Sequence, residues 1–305
     1  ADDLLTTVAL ATAAPLFVAP AMNQQMWANA GTQSNIQRLL DAEVRILGPD
    51  AGEQACGDTG PGRLLDPQAI EQLVSAYFPS RSLSGKRVVI TAGPTREPLD
   101  PVRFLSNHSS GKMGFALARA AQEAGAETVL IAGPVQLDTP EGVQRINVET
   151  AVDMLEATQM VLPGTDIFIA AAAVADYRPD HYVEQKIKKS GDQLTLNLIK
   201  NPDIVATVSA SSQRPNLVVG FAAETEQLEQ HAEGKRIAKQ LDFIVANDVS
   251  QADIGFNSDA NAVTVFGPAG KQDFPVASKD VVASQLVELL AQHLSTVPVT
   301  TRSAK

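Results

Sequence analysis

The chain has 305 residues, 44% of them hydrophobic and 19% charged, with a formal net charge of −11. That length holds two ordinary domains with buried cores, and the acidic balance argues against a general nucleic-acid binder, whose affinity rests on cations facing phosphate. A single cysteine, Cys56, excludes an intrachain disulfide and favours a reducing, cytoplasmic setting, while no apolar run reaches the roughly 18–20 residues that span a bilayer.

In chain order, residues 4–20 are rich in Ala, Leu and Val but broken by Pro15 and Pro20, predicting a helix and then a buried strand within 16–22. The chain starts at Ala1, without an initiator Met and inside what reads as an element, as a fragment would. A second apolar run at 43–49 stops on Gly48-Pro49. Asp66-Pro67 opens a helix carrying Ile70, Leu73 and Val74 at helical spacing. Residues 79–85, Pro-Ser-Arg-Ser-Leu-Ser-Gly, read as a linker that closes a first segment at residue 78.

From 86 to 294, apolar runs alternate with helical patterns. Strands are predicted at 87–91, 128–132, 166–172, 217–222 and 243–246, and helices at 111–124, 150–161, 203–209, 226–241 and 278–294. Such alternation implies an α/β fold with a Rossmann-like, mostly parallel sheet. Two β-hairpins are expected beside it, over 186–200 with its turn at 190–192, and over 262–274 with its turn at 267–270. The Thr/Ser/Pro-rich stretch 295–305 reads as a flexible tail.

The polar loops after these strands are where an open α/β sheet binds ligands. Gly93-Pro94-Thr95-Arg96 follows a strand, yet no G-x-G-x-x-G fingerprint occurs there, which disfavours ordinary NAD binding. Ser110-Gly111-Lys112 lacks the upstream glycine and following Ser/Thr of a P-loop. Arg103 and Asn107 precede a glycine-opened helix, where a guanidinium can clamp an anion and an amide can hold a reactive acyl group. Each of these residue types alone is as readily structural. Ala171, Ala172 and Ala173 at a strand end leave room for a flat ring, and Asp176 just beyond can meet ribose or metal. Lys186 and Lys188 would share one face of a strand, although a lysine run is more often a solvated surface. Lys235 and Lys239 lie four apart on a helix, and Phe221 can stack a base or simply fill core. Zinc-ligand spacing is absent, and no metal ligands can be named.

Taken in order, the phrases P-A-M-N, A-C-G-D-x-G-x-G-R, G-P-T-R-E, S-N-H-S-S-G-K-M-G, A-A-V-A-D-Y, K-I-K-K, K-N-P-D-I and G-F-A-A-E-T closely resemble the bifunctional phosphopantothenoylcysteine decarboxylase / phosphopantothenate–cysteine ligases of bacterial coenzyme A synthesis. The resemblance implies a ligase over 86–294 that uses CTP and Mg²⁺ to join 4′-phosphopantothenate to cysteine through an acyl-cytidylate. It gives Asn107 and Arg103 roles in acyl transfer, and it places Ala171, Ala172, Ala173, Asp176, Lys186, Phe221, Lys235 and Lys239 on CTP, with Asn201, Pro202, Asp203, Ile204 and Val205 in its pocket. It further implies a homodimer at least. Residues 1–78 resemble the second part of a flavodoxin-like FMN-dependent decarboxylase, in which Asn23 binds the substrate carboxylate and Cys56 protonates the enethiolate. The four histidines, His108, His181, His231 and His293, all follow the linker, so the decarboxylase histidine and most FMN contacts of that family are not in this sequence, and the chain as written is not expected to decarboxylate. Two other readings stay open: an NAD(P)-linked reductase, and a non-catalytic nucleotide-binding module.

Overall fold

A computed structural model describes residues 2–54, 57–78, 81–188, 193–224, 228–248 and 258–296. The chain divides into two compact units, Ala1–Pro79 and Ser80–Lys305.

The first unit runs α1 (Leu4–Ala11), β1 (Phe17–Val18), α2 (Gln24–Ala28), α3 (Ala30–Asp41), β2 (Arg45–Ile46), β3 (Asp50–Glu53), β4 (Thr59–Arg63) and α4 (Pro67–Tyr77). Helix α4 starts as its sequence dictates: the Asp66 side chain accepts from Gln68 N, and proline occupies the first turn, where no donor is needed. The apolar run at 16–22 forms only the two-residue strand β1, half-buried rather than buried. Its one partner is β2, in parallel register, and two short strands cannot enclose both faces of an apolar run.

The second unit opens with β5 (Arg87–Ala92), a short antiparallel pair β6 (Arg96–Pro98) and β7 (Phe104–Ser106), α5 (Lys112–Glu123), β8 (Glu127–Ala132), β9 (Gln144–Asn147) and α6 (Ala151–Val161). It continues with β10 (Ile167–Ala170), β11 (Tyr177–Pro179), β12 (Leu198–Lys200), α7 (Ile204–Ser209), β13 (Leu217–Glu224), α8 (Leu228–Ala238) and β14 (Phe243–Asp248). It closes with β15 (Ala260–Gly267), β16 (Gly270–Ser278) and α9 (Lys279–Thr296). Eight strands form one sheet in the order β16-β15-β14-β13-β10-β5-β8-β9. The six from β9 to β14 are parallel, and β15 and β16 add an antiparallel edge. The chain winds outward from β5 through β8 to β9, then returns to the other side of β5 to lay down β10, β13 and β14. This doubly wound order puts a switch point between β5 and β10, where loops leave the strand ends in opposite directions and a crevice opens.

The central strands are apolar along their whole length because both faces are covered. On one face Ile90, Leu130 and Ile169 pack with Leu117 of α5 and Leu286 of α9. On the other, Val89, Ile131 and Phe168 pack with Met154 of α6, Val208 of α7 and Ile244. Gly220 in β13 packs closely on Leu241: an added Cβ would lie 2.7 Å from Leu241 Cδ1.

Three expectations are corrected. Residues 186–200 are not a hairpin; β12 pairs antiparallel with β11, and 181–188 carry no strand, so Lys186 is not placed by strand alternation. The predicted turn at 190–192 lies outside the described residues. Leu83, expected in a linker, is 1% exposed, and its N–H donates to Ala124 O, so the second unit begins inside that stretch. Helix α9 runs to Thr296, into the stretch read as tail; the rest of that tail, 297–305, lies outside the described residues.

Candidate active site

Loops at the carboxyl ends of β5, β10, β13 and β14 frame two cavities. The first, about 420 Å³, is lined by Asn107 through Gly114, Ala171 through Val174, Phe221, Asn247, Asn261 and Lys279, among others. The second, about 240 Å³, is lined by Asp176, Lys200, the 201–205 turn, Lys235 and Lys239, together with Ala172, Val174 and Phe221. Ala172, Val174 and Phe221 thus belong to both cavities and form their common wall.

Each lining segment has a local cause. Helix α5 begins after Gly111, whose φ of +77° is left-handed and favours glycine, and this N-cap residue has no side chain with which to cap the first amides. The small residues 171–174 continue β10 past the sheet and are held by hydrogen bonds to the loop after β5: Ala173 N donates to Gly93 O, and Ala175 N to the Thr95 hydroxyl. Asn107 is fastened to the same segment, its Nδ2 donating to Val174 O at 3.0 Å. Asn201 fixes the second cavity's rim through Nδ2 to Ala175 O at 2.8 Å, while its Oδ1 accepts from Arg178. Asp203 caps α7 by accepting from Ala206 N and also meets Lys239 at 2.7 Å. Partial burial works against its charge, but the Lys239 and Ala206 hydrogen bonds prevail and leave its pKa lowered.

Arg103 and Lys186 stand apart from the residues lining these cavities. Arg103 sits in the turn between β6 and β7, with Nε donating to Asp100 Oδ2 at 3.0 Å and Nη2 to Ile187 O at 2.8 Å. Asp100 is 3% exposed and accepts besides from the amides of Val102, Arg103 and Ile187. The Arg103 guanidinium, ahead of those amides and against the cost of burial, holds the Asp100 carboxyl well below the usual carboxylate range. Lys186 is exposed, one residue from this clamp.

Among the described residues no group of three or more His, Cys, Asp or Glu is placed to hold a metal. A magnesium ion that travels with a nucleotide needs only one or two carboxylates beside phosphate oxygens and water, and Asp176 in the second cavity fits that requirement.

Residues 83–294 match the model of the DNA/pantothenate metabolism flavoprotein C-terminal domain, and residues 1–78 match the Flavoprotein model. The coenzyme A biosynthesis bifunctional protein CoaBC of Vibrio cholerae is 53% identical over 96% of this chain and 74% of its own length. The chain belongs to the CoaBC family. The CoaBC of Escherichia coli is 51% identical over 94% of this chain and 72% of its own. A crystal structure of the C-terminal domain of a CoaBC is 39% identical with a TM-score of 0.61, covering 71% of this chain and 99% of that one.

Sequence reasoning passed over three lining residues and the Asp100 that holds Arg103. Asp100 carried no motif. Asn247, Asn261 and Lys279 come from the far side of the sheet, and only its strand order brings them to the loop at 107–114. Asn247 Oδ1 is buried without a hydrogen-bond partner, the state of an acceptor that a ligand donor would complete. In the first unit, Asn23 caps α2 by accepting from Gln25 N at 2.8 Å, and its Nδ2 donates to Asp58 at 3.2 Å. Cys56 lies outside the described residues.

Proposed function

We propose that residues 80–296 catalyse CTP-dependent ligation of 4′-phosphopantothenate with cysteine, and that the shared wall of Ala172, Val174 and Phe221 is where the two substrates meet. The carrying observation is that pair of adjoining cavities at the sheet's switch point. One is bordered by Lys200, Lys235, Lys239 and Asp176, as a polyphosphate with a divalent cation requires. The other is bordered by amides, hydroxyls and lysines, as a polar acid requires.

The chemistry follows from that adjacency. A carboxylate oxygen of the acid attacks the α-phosphorus of CTP, and the bond to pyrophosphate breaks. The acyl-cytidylate then presents a carbonyl with a good leaving group; the neutral amine of cysteine adds to it, CMP departs with the electron pair of the acyl–oxygen bond, and the amine loses a proton. Asn107 sits at the wall, anchored on the 173–174 backbone, where it orients the acyl group for the second step. Magnesium, when bound with CTP, neutralises charge on the polyphosphate. Lysines 235 and 239 hold the nucleotide, and Asp203 releases Lys239 to phosphate as CTP enters.

For the first unit, the family reading gives decarboxylation of the ligation product with FMN, Asn23 holding the carboxylate and Cys56 donating the proton. The Asn23 side chain accepts from Gln25 N and donates to Asp58 Oδ2, so taking a substrate carboxylate there means exchanging one of these contacts. A homodimer remains part of the reading, with Arg103 assigned beside Asn107 in acyl transfer.

The deciding experiment is pyrophosphate release with 4′-phosphopantothenate and cysteine, comparing CTP, ATP and no nucleotide. Release that needs both CTP and the acid is expected; release indifferent to the acid, or nicotinamide binding instead, would remove the ligase reading. Lys186→Gln is expected to weaken CTP binding by about 10-fold, the worth of one charge-assisted contact. Unchanged CTP affinity in a titration would return Lys186 to a solvated surface role.

A further inference from the structure

We infer that Thr95 is a positioning residue for acyl transfer, setting the direction in which Asn107 faces the wall common to both cavities. The reaction it serves rests on the ligase reading; the brace itself rests on hydrogen bonds around a single peptide unit.

That unit joins Val174 to Ala175. Its carbonyl, Val174 O, accepts from Asn107 Nδ2 at 3.0 Å, and its amide, Ala175 N, donates to the Thr95 hydroxyl at 3.0 Å. A trans peptide is planar, with its C=O and N–H on opposite edges. Turning the plane therefore breaks both bonds together, and the Thr95 oxygen on one edge fixes the carbonyl that Asn107 meets on the other. Ala175 is 6% exposed, and its own carbonyl accepts from Asn201 Nδ2 at 2.8 Å, so the next peptide is pinned as well.

The main chain of Thr95 staples the same two loops. Thr95 N donates to Ala173 O at 3.3 Å, beside a bridge between Pro94 and Ala173. Thr95 O accepts at 2.7 Å from the hydroxyl of Ser106, the residue before Asn107. One residue thus meets the wall segment at 173 and 175 and the Asn107 loop at 106. Thr95 is 0% exposed and is not among the residues lining either cavity, so it acts through Asn107 and not on a substrate. The residue type suits the task. A valine would leave the buried Ala175 amide without its acceptor. A serine would supply the oxygen, while the β-branch of threonine also restricts χ1 and holds that oxygen in place.

Rapid-quench kinetics of the full chain with labelled CTP, 4′-phosphopantothenate and cysteine test the brace. Thr95→Val removes the acceptor at nearly constant shape. It is expected to slow capture of the acyl-cytidylate about 10-fold, the effect of one lost hydrogen bond, with CTP affinity as it was. Thr95→Ser should recover most of the rate. Added to Asn107→Ala, Thr95→Val should slow capture little further, since its effect passes through Asn107. Capture at the normal rate in Thr95→Val, an equal loss of CTP affinity, or full additivity with Asn107→Ala would overturn the inference. Should Thr95→Val not fold, amide exchange in the unaltered protein decides: the Ala175 N–H must exchange as slowly as those of β10, and rapid exchange overturns the brace. That measurement needs no turnover, so a failure of pyrophosphate release would count against the ligase reading and not against the brace.

Discussion

Asn107→Asp is expected to let an acyl-cytidylate accumulate while its capture by cysteine slows about 100-fold or more, the usual cost of losing one preorganised donor at an acyl centre. The reason lies in how Asn107 is held. Its Nδ2 donates to Val174 O at 3.0 Å and approaches Ala173 O at 3.5 Å. An aspartate has no donor to offer there; its carboxylate would face carbonyl oxygens and turn away from the wall. The second cavity, proposed to take the nucleotide, draws its wall from Ala172, Val174 and Phe221, without Asn107, so CTP should still bind and the first step should still proceed. Rapid-quench analysis with labelled CTP measures both steps. Lost CTP binding, or capture at the normal rate, would remove Asn107 from its assigned role.

Asp100→Ala should have the second large effect. This buried carboxylate gathers the Arg103 guanidinium and the amides of Val102, Arg103 and Ile187, and removing it leaves a cation and several donors unsatisfied. Arg103 loses its orientation, and the segment carrying Lys186 loses an anchor. Turnover and CTP affinity should therefore fall together, and amide exchange at 100–103 and 187 should rise. Combined with Arg103→Ala, the losses should be less than additive, because one clamp is broken twice; full additivity would mean that the two residues act separately. Because the Asp100 pKa is lowered in the folded protein, its contribution is fully present above the ordinary carboxylate pKa and is lost only as pH falls through the lowered one. The clamp should thus outlast exposed carboxylates during acid titration.

The long parallel strands were legible because two-sided burial writes itself as uninterrupted apolar sequence, as in 87–92 and 127–132. The loops at 93–96, 106–114 and 171–176 were legible because glycine, small and polar residues cluster where strands end. The three-residue strands β6, β7 and β11 were missed, since a run that short has no period to read. The hairpin expected over 186–200 failed for a related reason. A glycine-centred turn between polar runs predicts local pairing, but β12 found a partner earlier in the chain, at β11. Lys279 and Asn247 escaped notice because neither sits in a signature. Their place at the cavity follows from sheet order, which no local pattern encodes.

Both cavities take their walls from positions between 91 and 279, and none of their lining residues comes from Ala1–Pro79. A gene could therefore be cut or fused at the boundary near residue 79 without removing a lining residue of either cavity. Covalent attachment would then act on the product alone, raising its concentration near a neighbouring catalyst by an amount set by linker length and stiffness.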